Sequence, residues 1–384
     1  MAIKDGSFEH EPAMKRTIIP DYYAGFTCKG ASCRNCCCSG WGVTIPRQQY
    51  YTLLGISCDK KTRERIDRTF LPVLNPTPER FAEINHNHLG ECPLRMENGY
   101  CMLQYRCGEK VLPWVCRYYP RAPRNDYACE SSCSNSCEKT LELLFASDDK
   151  LTFETRELAF DLPARTPGLT DEDQSFYVRV REFCFEILEN RTRPLTTRIL
   201  MIGKLMAALD RDRYADMRMI DVSVPEYVRD IPQTYRLLLN IAGWFADNSR
   251  SISQYCRDNE TYYRDGDLLP KYEAAQRHFD TVLPNQEILF EKMLINHLFM
   301  RQFPFQDDAV TFDDAFVSLC GTYLFLRYLS LSLMLPKQTL TDFVDIMAKT
   351  FRVVAHTGFE KNIKILLRNE NAVDFGTLAV LIQA

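Results

Sequence analysis

The chain has 384 residues, of which 46% are hydrophobic, 26% charged and 12% aromatic. That composition excludes disorder and collagen-like order and is ample for a large core; the length suggests two domains. Lys and Arg number 47 against 51 Asp and Glu, a net charge of -4, so no global positive field exists to hold a nucleic-acid backbone.

The N-terminus, MAIKDGSFEHEPAMKRTIIP, lacks the apolar core of a secretory signal, and a cytoplasmic, reducing compartment is expected. Residues 1–13 read as an extension or tag, and an apolar segment opens at Met14. From there to about residue 150 runs a cysteine-rich part. Of 16 cysteines, 13 lie between Cys28 and Cys137, a density that in a secreted chain would mean a disulfide scaffold. The missing export signal, the odd local count and the run Cys36-Cys37-Cys38, whose neighbours are poorly placed to pair, favour thiolate ligation of a metal instead.

Most of these cysteines form three groups, Cys28-x4-Cys33-x2-Cys36-Cys37-Cys38, Cys92-x8-Cys101-x5-Cys107-x8-Cys116, and Cys129-x3-Cys133-x3-Cys137. Intervening Gly and small polar residues allow tight turns that aim amide N–H groups at sulfur, so the sites belong to loops. Zinc and iron–sulfur clusters both take tetrahedral sulfur ligation. The absence of two clean C-x2–4-C knuckles favours iron–sulfur, with zinc as the alternative. The third group falls one residue wide of the C-x3-C-x2-C signature of radical enzymes that chelate S-adenosylmethionine. His86 and His88 are read as solvated loop histidines near Cys92, with ligation as the other reading. Cys184, Cys256 and Cys320 fall on apolar helix faces and are read as buried thiols.

Between the cysteine groups, residues 47–70 read as helix, with Tyr50, Leu53, Leu54, Ile66 and Phe70 inward, ended by Pro76 and Pro78. LELLFASDDKLTFETREL holds a helix end and a short extended stretch, and 151–170 reads as a Pro/Gly/acidic linker. Residues 171–384 read as an all-helical domain. Its first helix carries the stripe Phe176, Tyr177, Val180, Phe183, Cys184, Ile187 and Leu188, and its second, 195–210, carries Ile199, Ile202, Leu205, Met206 and Leu209. Further helices are expected over 233–247, 251–264, 270–303, 311–335, 338–356 and 359–369, among Pro and Gly breaks such as Pro284, Pro304, Pro336 and Gly358. The apolar stretch 315–335, interrupted by Arg327, reads as a core helix, so no transmembrane segment is expected, while peripheral membrane association stays open. The fold class is therefore mainly α: a cysteine-rich metal-binding part with irregular loops, then an all-helical domain without a fixed-period repeat.

No G-x-G-x-x-G, G-x4-G-K-[ST], G-x-S-x-G or H-E-x-x-H occurs, which removes the commonest nucleotide-binding and hydrolase readings and leaves any catalysis to the cysteine-rich part. The run Phe26, Cys28, Gly30, Cys33, Cys37, Cys38, Gly40, Trp41 resembles the opening of the flagellin lysine N-methylase family. The downstream set Cys92, Pro93, Cys101, Gln104, Glu109, Cys116, Arg117, Tyr119, Pro120, Arg121 resembles a later stretch of it, and ILFEKMLINHLFMRQFPF a third. The first motif is shared with a wider group of metal-chelating domains.

The resemblance implies an S-adenosylmethionine-dependent methyltransferase that methylates lysines of flagellin in the bacterial cytosol, with a [4Fe-4S] cluster. It implies metal ligands among Cys28, Cys33, Cys37, Cys38, Cys92, Cys101, Cys116 and Cys137. Eight exceed the four sites of one cubane. Cys36 and Cys107 stand where the family pattern has other residues, and Cys129 and Cys133 are not assigned by it. A lysine amine, with a reference pKa of about 10.4, must lose a proton before attacking a methyl sulfonium. Glu109, Tyr118 and Tyr119 are the candidates to help, and Arg117 and Arg121 the candidates to pair with the cofactor carboxylate. In-line displacement suffices chemically, although a radical route is the other option. The alternative function is a non-catalytic zinc- or iron-binding module. The oligomeric state, target lysines and methylation multiplicity are not written in the sequence.

Overall fold

A computed structural model describes residues 12–124, 129–162, 170–264, 266–304 and 311–384. Most of the expected N-terminal extension, residues 163–169 of the 151–170 linker and the last Phe of the F-P-F segment lie outside the described residues.

The cysteine-rich part begins with β1 (Lys15–Pro20) and a 3-10 turn, Asp21–Gly25, and reaches the short β2 (Thr44–Ile45) through the first cysteine loop. Next come α1 (Arg47–Leu54), α2 (Lys60–Thr69), β3 (Phe70–Pro72) and β4 (Ala82–Ile84), and β4 lies between β2 and β3 in an antiparallel three-stranded sheet. The helix expected over 47–70 is thus two helices, broken after Gly55, and Asp59 caps the second by accepting from the Thr62 amide. Leu53, Ile66 and Phe70 are buried as expected; Leu54 is exposed. The short α3 (Met102–Cys107), α4 (Trp114–Tyr118) and α5 (Glu138–Leu144) follow, and then β5 (Phe153–Leu158), antiparallel to β1 from Lys15↔Leu158 to Pro20↔Phe153.

The helical part comprises α6 (Asp171–Leu188), α7 (Leu195–Arg211), α8 (Ile231–Asn248), α9 (Ser253–Arg264), α10 (Leu268–Val282), α11 (Gln286–Met300), α12 (Phe312–Leu333), α13 (Leu340–His356), α14 (Phe359–Asn369) and α15 (Phe375–Gln383). Side-chain caps from Thr170, Asp230, Thr311, Thr339 and Asp374 set helix starts; Thr339 and Asp342 form a capping box. The single helix expected over 270–303 is two, because Pro284 removes a backbone donor and clashes with the preceding turn. The terminal α15 was not expected; it is short and apolar on most sides, so it lacks a helical stripe.

α12 is long and apolar enough to cross a membrane, yet 83% of its apolar stretch is buried in the protein, as a core helix should be. It packs so closely on α7 and α14 that a Cβ added to Gly203 would overlap the Phe316 ring, and one added to Gly321 would lie 2.6 Å from Ile363 Cγ1.

The buried apolar residues form two clusters. The smaller joins Val43, Ile45, Leu53, Ile66, Phe70, Leu94, Leu103 and Leu112. The larger holds the helical part together with Ile19, Tyr22, Tyr23, Phe26, Cys133, Leu141 and Leu144, so the two ends of the cysteine-rich part are bedded in the helices.

Candidate metal centre

The first cysteine loop, from Cys28 to Trp41, turns on two glycines with positive φ, Gly30 at 57° and Gly40 at 81°. Each permits a backbone reversal that brings a thiol back toward the same side. Gly40 donates its amide to the Gly90 carbonyl, and Cys92 donates to the Cys38 carbonyl at 2.8 Å, which lays the second cysteine segment against the first. Arg95 pairs with Cys101 across a tight hairpin, Cys101 is the N-cap residue of α3, and α4 carries Cys116. The third segment ends at Cys137, immediately before α5.

These segments enclose a cavity of about 250 Å³. Cys28, Cys33, Cys37, Cys38, Cys92, Cys101, Cys116 and Cys137 all stand on its wall, and Cys36 joins them. None is in a disulfide. Cys129 and Cys107 are not on that wall; Cys133 is buried in the larger apolar cluster, and Cys58, outside the three sequence groups, has Cys107 as a neighbour. His86 lines the cavity and is held neutral by burial, whereas His88 does not line it. Cys184, Cys256 and Cys320 are fully buried away from the site.

The sulfurs are hydrogen-bond acceptors. Cys28 Sγ takes the Gly30 amide at 3.4 Å and Cys36 Sγ the Cys38 amide at 3.4 Å. Cys33 accepts from the Asn35 amide, Cys92 from Leu94 and Arg95, Cys101 from Gln104 and Leu103, and Cys137 from Thr140 and Lys139. Amides two or three residues ahead of a sulfur stabilise its thiolate. Burial nevertheless pushes Cys33 up to about 12 and Cys92 up to about 11, and raises Cys101, Cys116 and Cys137. Cys36 goes the other way, because the Cys37 and Cys38 thiols both donate to it. Thiols crowded in a recess resist ionising together, and a bound cation reverses that balance by making thiolate the favoured state.

Among the described residues no three Cys, His, Asp or Glu side chains converge tightly enough to hold a single metal ion. A sulfur-bridged iron cluster spreads its ligands further apart than one ion does, and a cavity walled by nine thiols with amide-supported sulfurs suits such a group.

Two helices, α5 and α13, grip the first loop. Glu138 at the start of α5 has a fully buried side chain; it accepts from Lys29 Nζ at 2.6 Å and from the amides of Arg34 at 3.1 Å and Asn35 at 2.6 Å. Burial alone would raise its pKa, but these donors and the Arg34 charge outweigh it and hold the carboxyl below its usual range. Asp345 of α13 pairs with Arg34 Nε at 3.0 Å. Arg352 donates to the carbonyls of Ser39, Asn35 and Cys36 and stands over the Trp41 ring. His356 meets Trp41 edge-on, 4.7 Å between centroids, and its Nε2 lies 2.7 Å from Ser136 Oγ, which bonds the Tyr119 hydroxyl at 3.0 Å. Protein crowding and the nearby charges of Arg301 and Arg352 hold the His356 pKa well below its usual value. Nothing in the local sequence around residues 345–356 signalled this role; these positions read as an ordinary amphipathic helix.

Of the other sequence candidates, Glu109, Arg117, Tyr119 and Arg121 line the cavity and Tyr118 does not. The Tyr118 hydroxyl accepts from the Asp161 amide at 2.7 Å, and Arg117 pairs with Asp161 at 3.2 Å. Arg121 donates to the Phe26 carbonyl at 3.2 Å and covers the Phe26 and Tyr23 rings. Burial raises the pKa of both tyrosines, so they are protonated phenols at neutral pH.

The profile of the FliB lysine N-methylase C-terminal domain matches residues 181–381. The chain belongs to the FliB lysine N-methylase family. The helix that grips the thiol loop through Asp345, Arg352 and His356, α13, lies inside that matched domain. A lysine-N-methylase from Salmonella typhimurium is 27% identical over 143 residues, 36% of this chain and 35% of the relative. A flagellar biosynthetic protein FliU from Salmonella muenchen is 27% identical over 135 residues, 34% of this chain and 78% of that protein. The similarity thus spans about a third of the lysine-N-methylase. No solved structure matches.

Proposed function

We propose that the protein is a cytoplasmic, S-adenosylmethionine-dependent methyltransferase that N-methylates surface lysines of flagellin and holds an iron–sulfur cluster in its thiol-walled cavity. The observation that carries this reading is the convergence of nine cysteines outside any disulfide, from three distant segments, on one cavity gripped by α13 of the family's C-terminal domain. The curated relatives, named lysine-N-methylase and flagellar biosynthetic protein, supply the substrate class.

In this reading the cavity cysteines hold the cluster, and S-adenosylmethionine, when bound, supplies an electrophilic methyl group. The chain's own part is to prepare the amine. Phe26, Trp41, Val43 and Leu112 on the cavity wall exclude water, and desolvation lowers the pKa of an entering lysine toward the neutral form that attacks. The exposed carboxylate of Glu109 at the rim is placed to take the released proton, while Tyr119 stays protonated. Arg117 and Arg121, both on the wall, offer guanidinium donors to the cofactor carboxylate.

The test is transfer of labelled methyl from S-adenosylmethionine to flagellin by protein purified without oxygen, with iron, zinc and acid-labile sulfide measured on the same sample. Label on flagellin lysines is the expected result. Loaded protein that transfers nothing would leave a metal-holding module instead.

A further inference from the structure

Tyr119 stands on the wall of the thiol cavity, and its hydroxyl lies 3.0 Å from Ser136 Oγ. Ser136 Oγ in turn lies 2.7 Å from His356 Nε2. Neither Ser136 nor His356 is on the cavity wall. Ser136 has no exposed surface, and Ser134, whose Oγ is 2.8 Å from that of Ser136, is 1% exposed. His356, at the end of α13, is crowded by its neighbours yet open to solvent, as are Thr357 and Gly358 after it. Three polar groups therefore run from the cavity, through a sealed layer of protein, to water outside it. Their hydrogen bonds have a direction. Burial, together with the charges of Arg301 and Arg352 and the neighbouring His297 ring, keeps the His356 imidazole neutral, so one of its nitrogens is bare. With Nε2 bare, Ser136 donates to His356 and accepts from Tyr119 and Ser134, while Ser134 accepts the Ser136 amide at 3.3 Å. Every hydroxyl then has its partners, and the Tyr119 oxygen turns a lone pair rather than its proton toward the cavity.

We infer that Tyr119, Ser136 and His356 form a path that carries the proton of the target amine out of the cavity to water. The inference rests on the reading of the cavity as the site of lysine methylation. The ammonium of the bound lysine gives a proton to the Tyr119 oxygen as the Tyr119 proton moves to Ser136, the Ser136 proton to His356 Nε2, and the Nδ1 proton to a water molecule. One N–H bond of the ammonium breaks and one O–H bond of hydronium forms. Each member of the path gains one proton and loses one, so none ends charged, and His356 is left as its other tautomer. The amine keeps the electron pair of the broken bond and attacks the methyl group with it. Glu109 stands at the exposed rim, which a docked protein substrate closes off; the path reaches water elsewhere.

The test measures the single-turnover rate of methyl transfer to flagellin by the full-length anaerobic protein and by Tyr119→Phe, Ser136→Ala and His356→Ala. Ser134→Ala is the control, a buried hydroxyl beside the path and not on it. The three path variants are expected to slow transfer by about 100-fold, the lower end of what a positioned proton acceptor contributes, with the affinity for flagellin unchanged. Ser134→Ala is expected to match the wild type. Added imidazole, which refills the place of the lost ring, restores His356→Ala and does nothing for Ser136→Ala, a split that lost packing would not produce. Tyr119→Phe keeps the ring and its contacts, so its result stands whether or not another variant folds. A second readout needs no substrate: the ring nitrogen resonances of the free protein should show His356 protonated at Nδ1 and bare at Nε2. Protonation at Nε2 would overturn the inference, since the row would then start filled. So would a Tyr119→Phe rate equal to that of the wild type, equal slowing by Ser134→Ala and Ser136→Ala, or a His356→Ala protein that imidazole leaves slow. Wild type that transfers nothing refutes the methylation reading and the path with it; transfer that ignores the variants refutes the path alone.

Discussion

Arg352 reaches across 316 residues of sequence to place its Nη2 3.1 Å from the carbonyl oxygen of Cys36. One guanidinium from α13 thereby fixes three carbonyls of the most crowded thiol segment and lies over Trp41. Arg352 itself is buried, so water cannot replace those bonds cheaply.

Arg352→Ala is therefore expected to destabilise the fold by about 2–4 kcal/mol, the cost of several charge-assisted hydrogen bonds left unmade in a buried setting. Denaturant unfolding followed by Trp fluorescence measures it. A change within about 0.5 kcal/mol, the range of an ordinary surface substitution, would show that the loop holds its shape unaided.

Glu138 gives a pH signature. Its folded pKa is below the unfolded value, so its contribution is present above the unfolded pKa and is lost as pH falls through the folded one. Wild type should lose stability as pH drops below about 4.3, the ordinary Glu value. Glu138→Gln should be less stable at pH 7 and should lack that component of the acid slope. Parallel pH curves for the two proteins would refute the assignment.

His356 should stay neutral through the range in which ordinary histidines titrate, because crowding and the Arg301 and Arg352 charges depress its pKa. Its ring resonance, assigned by difference against His356→Gln, should hold still between about pH 7 and pH 5, on either side of the ordinary His value. A midpoint near 6.5 would mean that the ring escapes both cations.

Gly203→Ala should cost about 1–3 kcal/mol by overpacking, since the new Cβ would collide with the Phe316 ring between α7 and α12. Gly243, where an added Cβ meets nothing within 4 Å, is the matched control: on α8 the same substitution should be neutral or stabilising. Equal thermal shifts for the two would contradict the packing described.

Much of the helical part was legible because stripes such as Ile199, Ile202, Leu205, Met206 and Leu209 repeat with the helical period, and all five are buried. The break at Pro284 split an expected helix because the periodic pattern continues across it, although the backbone cannot. The cysteine spacing pointed to a metal-binding loop region, and the eight family-pattern cysteines do share one cavity with Cys36. What spacing could not give was the grip on that loop. Glu138, Asp345, Arg352 and His356 sit on helices with unremarkable local patterns, and their partners lie about 100 to more than 300 residues away. Tyr118 and Tyr119 are adjacent in sequence yet only Tyr119 faces the cavity, a distinction set by the turn after α4.

The smaller apolar cluster shares Val43, Phe70, Leu94, Leu103 and Leu112 with the wall of the thiol cavity. The hydrophobic contents of residues 43–112 and the thiol cavity are thus two sides of one surface. Binding at the thiols and folding of that segment are consequently linked equilibria: whatever binds the thiols stabilises the small core, and whatever loosens the small core weakens that binding. The helical bundle has its own larger core, which meets the cavity wall at Phe26 and Cys137. Emptying the thiol cavity would then loosen residues 43–112 first, while most of the larger core keeps its own packing.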